Sequence, residues 1–202
     1  MSAMADKIMK RVRAKGRGWV FTPKHFIDFG TRGSVDMALS RLAQAGEIRR
    51  IGRGLYDYPQ LHDKLGALTP DAEMIAQAVS AQSGDRLAPS AAAAANRLGL
   101  STQVPARTSY ATTGRTRVRQ AAGRSVTLKH SRAPVLGNAS EAANGVVQYL
   151  AGLGRANVDA DAISQLAARL DDKDVQALLK GRAQMPGWMG DVVLKIGAAH
   201  HG

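Results

Sequence analysis

A chain of 202 residues holds one large domain or two small ones, and 45% apolar residues suffice for a core although 4% are aromatic. The absence of cysteine excludes disulfides, thiolate metal sites and cysteine nucleophiles, and it fits a reducing cytoplasm. A net charge of +12 favours a polyanionic partner, nucleic acid ahead of an anionic membrane surface. The charged N-terminal segment carries no secretory signal, and no run of about 18 apolar residues is present to span a bilayer. The charge is unevenly spread. Residues 1–60 hold 12 basic and 5 acidic side chains, residues 61–132 hold 10 and 4, and residues 133–202 hold 6 and 7.

In chain order, Met4 to Ala14 reads as a helix with Ile8, Met9 and Val12 inward and Lys7, Lys10, Arg11 and Arg13 outward. Trp19 to Thr22 is a short strand, and Pro23 opens a short helix through Phe29, at the position where a missing amide costs nothing. A longer helix follows. Thr31 is its expected N-cap, and Val35, Ala38, Leu39 and Leu42 share one apolar face. Gly46 sits where a left-handed stop is needed. The other face carries Gly33, Ser34, Met37, Ser40, Arg41 and Gln44. Glu47–Ile51 and Leu55–Tyr58 are strand-like runs joined by Gly52-Arg53-Gly54, a turn with two glycines free to take positive φ and ringed by Arg49, Arg50 and Arg53. Helix, strand, helix, helix and a basic hairpin is the order of a winged helix-turn-helix, here residues 1–60, with the long helix for recognition.

That reading predicts double-stranded DNA as partner, bound at inverted repeats by a homodimer or by monomers acting cooperatively. Arg17, Lys24, Arg49, Arg50 and Arg53 are the candidate backbone contacts. Thr31, Arg32, Ser34, Ser40 and Arg41 belong to the helix expected in the major groove, with Gly33 and Met37 beside them. Arg41 is the one best placed for a guanine edge.

Gln60 to Leu68 reads as a linker, and Thr69-Pro70-Asp71 as a helix start with Thr69 as cap and Pro70 first, the helix running to Gln82. Pro89-Ser90 opens a further helix through five alanines to Leu98, stopped by Gly99. Thr108–Thr112, Arg115–Gln120 and Arg124–His130 are three strands separated by turn sequences, expected to form a small basic antiparallel sheet. Arg115, Arg117 and Arg119 alternate, so they share one face. The row is either a solvated face or a second patch for an anionic partner. Helices are expected at Ser140–Leu153, Asp161–Leu170, Asp172–Leu179 and Trp188–Ile196, with Asp159 or Asp161 capping the second and Asp171 or Asp172 the third. Trp188 and Met189 fit a core better than an interface anchor, and His200 and His201 fit a frayed terminus better than a metal site. The expected fold is therefore α+β, with a winged helix-turn-helix over 1–60 and a second domain over 69–202, its basic sheet at 108–130 and its helical part at 138–197.

The run VDMALSRLAQAGEIRRIGRGLYDYP, Val35 to Pro59, resembles the N-terminal winged helix of AbiEi-family antitoxins, and SYATTGRTRVRQAAGRSVTLKH, Ser109 to His130, resembles the variant of that family with a short basic sheet. The resemblance implies an antitoxin that represses its own operon. The remainder of its chain would counter a cognate toxin, often one of nucleotidyltransferase fold, or that toxin's target. A regulator of DNA or RNA without a toxin partner is the alternative.

Nothing in the sequence argues for catalysis. GxxxxGK[ST], HExxH and GxSxG are absent. Asp171, Asp172 and Asp174 fall where caps and dipole-favoured acids belong, and His25, His62 and His130 have no evident partner in sequence. No catalytic residue, metal or cofactor is expected.

Overall fold

A repeat of buried apolar and outward basic residues over Ala3–Lys15 gives the first helix, α1, in the computed structural model, which describes residues 3–103 and 108–201. Ala5, Ile8, Met9 and Val12 lie inward. A two-residue strand, β1 (Val20–Phe21), and a 3-10 turn at Pro23–Phe26 follow. The expected helix to Phe29 stops early because the Phe29 amide bonds back to Phe26 O at 2.9 Å. Next comes α2 (Arg32–Gln44), which buries Val35, Ala38, Leu39 and Leu42 as the spacing predicted. Thr31 caps it, its hydroxyl accepting from Ser34 N, and Gly46 turns left-handed beyond its end at φ +74°.

Strands β2 (Arg49–Gly52) and β3 (Leu55–Asp57) pair antiparallel, and β1 pairs with β3 to complete a sheet ordered β1-β3-β2. Phe21, Phe26, Val35, Leu39 and Tyr56 belong to one core with α1. The expected linker contains a small exposed hairpin, β4 (Leu61–His62) with β5 (Gly66–Ala67). The helix α3 (Ala72–Ser83) is preceded by Asp71 rather than Thr69, since its first helical bond runs from Ile75 N to Asp71 O. It packs on β1.

The chain divides into two compact units, Met1–Asp85 with Val118–Val126, and Arg86–Arg117 with Thr127–Gly202. The first is larger than the expected 1–60 segment, because α3 packs on β1 and stays with the N-terminal core.

In the second half of the chain β6 (Leu87–Pro89), β7 (Ser109–Thr112), β8 (Arg117–Ala121) and β9 (Arg124–His130) form a sheet ordered β6-β7-β9-β8. It is mixed, which corrects the antiparallel sheet expected at 108–130. β7 runs parallel to β9, pairing Ser109 with Thr127 and Thr112 with His130, and antiparallel to β6. Thr113-Gly114 is no hairpin turn, so β7 and β8 are not neighbours. The tight turn is Ala122-Gly123, where both residues take positive φ.

Ser90 caps the short helix α4 (Ala91–Arg97), and Ser140 caps α5 (Glu141–Leu153). These two meet through small residues. A Cβ at Gly152 would stand 2.5 Å from Ala91 Cβ, and one at Gly145 would stand 3.5 Å from Ala94 Cβ. The alanine run is thus a packing surface as well as a helix former. Helices α6 (Ala160–Ala167), α7 (Asp172–Gly181) and α8 (Gly187–His201) enclose a core with α5 that includes Val146, Leu150, Leu166, Leu178, Met189 and Ile196. Of the two aspartates offered for each cap, Asp159 caps α6 and Asp171 caps α7. Buried Asn144 holds the segment before α5, accepting from Leu136 N at 2.7 Å and donating to Leu136 O at 3.0 Å. The C-terminal histidines are not frayed, because His200 lies in α8 and bonds Ala167 O and Asp172. No helix among the described residues is long and apolar enough to cross a membrane.

Half-buried His25 stands edge-on to Trp19 with ring centroids 5.5 Å apart. Burial pushes its imidazole pKa down, against a hydrogen bond to the Thr22 backbone, and the charges of Lys15, Arg11 and Lys24 push the same way as burial. The folded ring therefore binds its proton less readily than the unfolded one. Its contribution is complete above the ordinary imidazole value of about 6.5 and is lost as pH falls toward the lowered folded value. Urea unfolding at successive pH values should show stability dropping on acidification through that window, and His25→Gln should flatten the drop.

Candidate nucleic-acid interface

Alternation along β2 sends neighbouring arginines to opposite faces. Arg49 turns inward and Arg50 outward. Arg49 meets Asp57, its register partner on β3, through two bonds, Nε to Oδ1 at 3.0 Å and one terminal nitrogen to Oδ2 at 2.6 Å. That nitrogen also donates to Leu68 O at 2.8 Å. Asp57 is 1% exposed, so the pair is a structural one, and the guanidinium pKa is held up by its bond to Asp57. Arg49 is therefore withdrawn from the expected set of backbone contacts.

Arg50 and Arg53 are exposed, and their side chains have no hydrogen bond or ion pair among the described residues. They line a cleft of about 730 Å³ in the first unit, together with Arg32, Asp36 and Ser40 from α2 and Arg119 from β8. Arg32, Asp36 and Ser40 follow one another at helical spacing of four, so a single stripe of α2 forms one wall. Within it Arg32 is tied to Asp36 by two contacts of 3.0 Å. Arg119, also without such a partner among the described residues, adds a third unpaired guanidinium.

Arg117 and Arg119 stand two apart on β8, and Arg119 lines the cleft. Arg115 is exposed and precedes β8, and Arg117 is half-buried at its first position. A continuous three-arginine strand face is not formed.

The segment that brings Arg119 to the cleft is the turn between β8 and β9. Ala122 N donates to Ile51 O at 2.9 Å, so the outer edge of β2 receives a bond from this turn. Gly52 is required there for space. Its φ is not positive, but a Cβ on it would lie 2.8 Å from Gln120 O and 3.6 Å from Ala121 Cβ. Gly54 supplies the left-handed position of the β2–β3 turn, φ +66°. Of the two glycines expected to take positive φ, one does.

The remaining candidates sort by what already holds them. Thr31 and Ser34 satisfy each other and the cap, with Ser34 Oγ donating to Thr31 O at 2.8 Å. Arg17 lies over Tyr58, 4.6 Å from the ring centre, and donates to Pro59 O. Lys24 reaches Gln82 O at 3.5 Å. A second exposed stripe of α2 carries Gly33, Met37 and Arg41. Met37 is 56% exposed, nothing stands within 4 Å of a Cβ at Gly33, and Arg41 contacts the Met37 sulfur at 3.6 Å.

Sequence reasoning passed over Asp36, Asp57 and Gln82. The first was findable from its spacing of four after Arg32, and the second from the opposite charges that flank the β2–β3 turn. Gln82, on α3 and lining the cleft, carried no such signal.

Fold and site together define an α+β protein with an arginine-lined cleft on its N-terminal unit. The chain belongs to a family of unknown function, DUF6088, whose family model matches residues 7–178. No curated protein and no solved structure matches it.

The close approach at Gly52 makes that position sensitive to a single methyl. Gly52→Ala should destabilise the protein by about 1–3 kcal/mol, the usual cost of forcing a methyl into a packed backbone contact. Gly33→Ala, with open space around its Cβ, should not. Chemical denaturation of the two variants beside the parent protein compares them directly.

Proposed function

We propose that the first unit is a winged helix-turn-helix that binds duplex DNA, with α2 as recognition helix and the β2–β3 hairpin as wing. The observation that carries this is the cluster of exposed Arg50, Arg53 and Arg119, unpaired among the described residues, around the cleft beside α2. Protein surfaces ordinarily mix charge signs. Several guanidiniums held together with little acidic compensation favour bidentate capture of phosphate. Among the described residues Asp36 is the one acid lining the cleft, and Arg32 occupies it.

Phosphate contacts from Arg50, Arg53 and Arg119 would fix register on the duplex, and the Gly33, Met37 and Arg41 stripe would face the base edges. In keeping with the AbiEi resemblance, we propose a repressor-antitoxin acting at inverted repeats in its own operon, as a homodimer or as cooperative monomers. Its second unit would counter the toxin or the toxin's effect. A cytoplasmic setting follows from that role.

Gel-shift titration over a salt series, using DNA from upstream of the gene, tests the DNA-binding part. Replacing Arg50, Arg53 and Arg119 by glutamine should weaken binding to all sequences. It should also reduce the salt slope by about 0.9 for each phosphate that is no longer neutralised. Arg41→Ala should cost about 1–3 kcal/mol and relax sequence preference. Arg49→Gln should instead lower stability. A salt-independent response, or an unchanged slope in the triple variant, would overturn the reading. Growth rescue against the toxin encoded beside the gene tests the antitoxin part separately.

A further inference from the structure

The start of α7 and the end of α8 bring together three side chains that are distant in sequence. His200 Nδ1 lies 2.9 Å from Ala167 O, and its Nε2 lies 2.9 Å from Asp172 Oδ1. The His201 ring stands against that of His200, centroids 5.1 Å apart. One ligand atom from each of Asp172, His200 and His201 falls within 4.8 Å of the other two.

A carbonyl oxygen can only accept, so the bond to Ala167 O places a proton on Nδ1. The 2.9 Å contact with the carboxylate places a proton on Nε2 as well, raising the imidazole pKa, and it is this second proton that a metal ion would displace, leaving the Nε2 lone pair as its ligand. Histidines that ligate metals are held in this way, the nitrogen away from the ion donating to a backbone carbonyl and fixing the tautomer. Bonds of about 2.0–2.2 Å around a tetrahedral zinc put neighbouring ligand atoms roughly 3.4 Å apart. The present separations bracket that figure. Asp172 and His201 are exposed, so their side chains are free to adjust by the difference. The neighbouring acids are otherwise engaged, Asp171 in capping α7 and Asp174 in accepting from Ser140. The C-terminal end of a helix carries partial negative charge, which favours a cation there.

We propose that Asp172, His200 and His201 form a binding site for a divalent transition-metal ion of the zinc class. Two imidazoles and one carboxylate suit Zn²⁺, Co²⁺ or Ni²⁺, and the imidazoles disfavour Mg²⁺ and Ca²⁺. Three protein ligands leave a coordination position for water or for a donor from another molecule. The bound ion would tie the end of α8 to the start of α7.

Titration of the full chain with Co²⁺, followed by its visible absorption and then by displacement with Zn²⁺, tests the site. One equivalent should bind. His201→Ala and Asp172→Asn should each weaken uptake by about tenfold or more. Both residues are exposed, so both variants should remain folded, which circular dichroism checks. Replacing His62 or His130 should change nothing. Zn²⁺ should raise the unfolding midpoint of the parent protein and of neither ligand variant. A simple ion pair between His200 and Asp172 predicts no stoichiometric uptake, and that result overturns the proposal. Uptake undiminished in both ligand variants overturns it equally.

Discussion

The β2–β3 hairpin rests on a charge that water does not reach. Asp57 is 1% exposed at the end of β3, and a buried carboxylate is tolerated when its oxygens are matched by donors. Arg49 supplies two donors in the planar geometry a carboxylate needs, and it uses the same terminal nitrogen to hold Leu68 O. One guanidinium therefore joins two strands to the chain that follows β5. The pairing also decides which arginines remain for anything else. With Arg49 facing in, the alternation of the strand turns Arg50 out, and Arg53 at the turn follows it to the surface.

The edge of β2 shows how a constraint of the fold doubles as an arrangement of charge. An unpaired edge strand invites association with other chains. Here the turn after β8 covers it through the Ala122 to Ile51 bond, and close contact with Gln120 demands a residue without a side chain at Gly52. Covering the edge brings Arg119 to the cleft that Arg50 and Arg53 line. Two basic features more than 60 positions apart become one surface of the first unit, and the proposed phosphate contacts depend on that convergence.

What the sequence revealed and what it hid follow from the range of the forces involved. Helix α2 was legible almost to the residue, because its apolar period, the Thr31 cap and the Gly46 stop all act within a turn of where they are written. The helix starts at Ser90 and Ser140 were legible for the same reason, and so were the capping aspartates to within a choice of two each, which the fold resolves to Asp159 and Asp171. The parallel pairing of β7 with β9 was not, since strand order depends on partners that local turn signals do not encode. Nor does the letter at position 49 say whether an arginine meets solvent or a buried carboxylate. The site was readable in its ingredients, while the sorting of Arg49 from Arg50 and the arrival of Arg119 required the tertiary fold.

Charge and packing also separate along the chain in a way that bears on the proposed division of roles. Residues 133–202 hold 6 basic and 7 acidic side chains, and three of those acids, Asp159, Asp171 and Asp174, are occupied at helix starts or by Ser140. Such a surface has little long-range pull on a polyanion. Its helices are held by close apolar contact, most tightly where Gly152 admits Ala91, an arrangement that fixes shape without needing charge. The first 60 residues carry 12 basic side chains against 5 acidic ones, and the fold engages some of these, Arg11 with Asp28, Arg32 with Asp36 and Arg49 with Asp57. The surplus left outside those pairs lies partly around one cleft. A surplus with no stabilising work inside the fold raises self-repulsion, and the proposed phosphate contacts would relieve it.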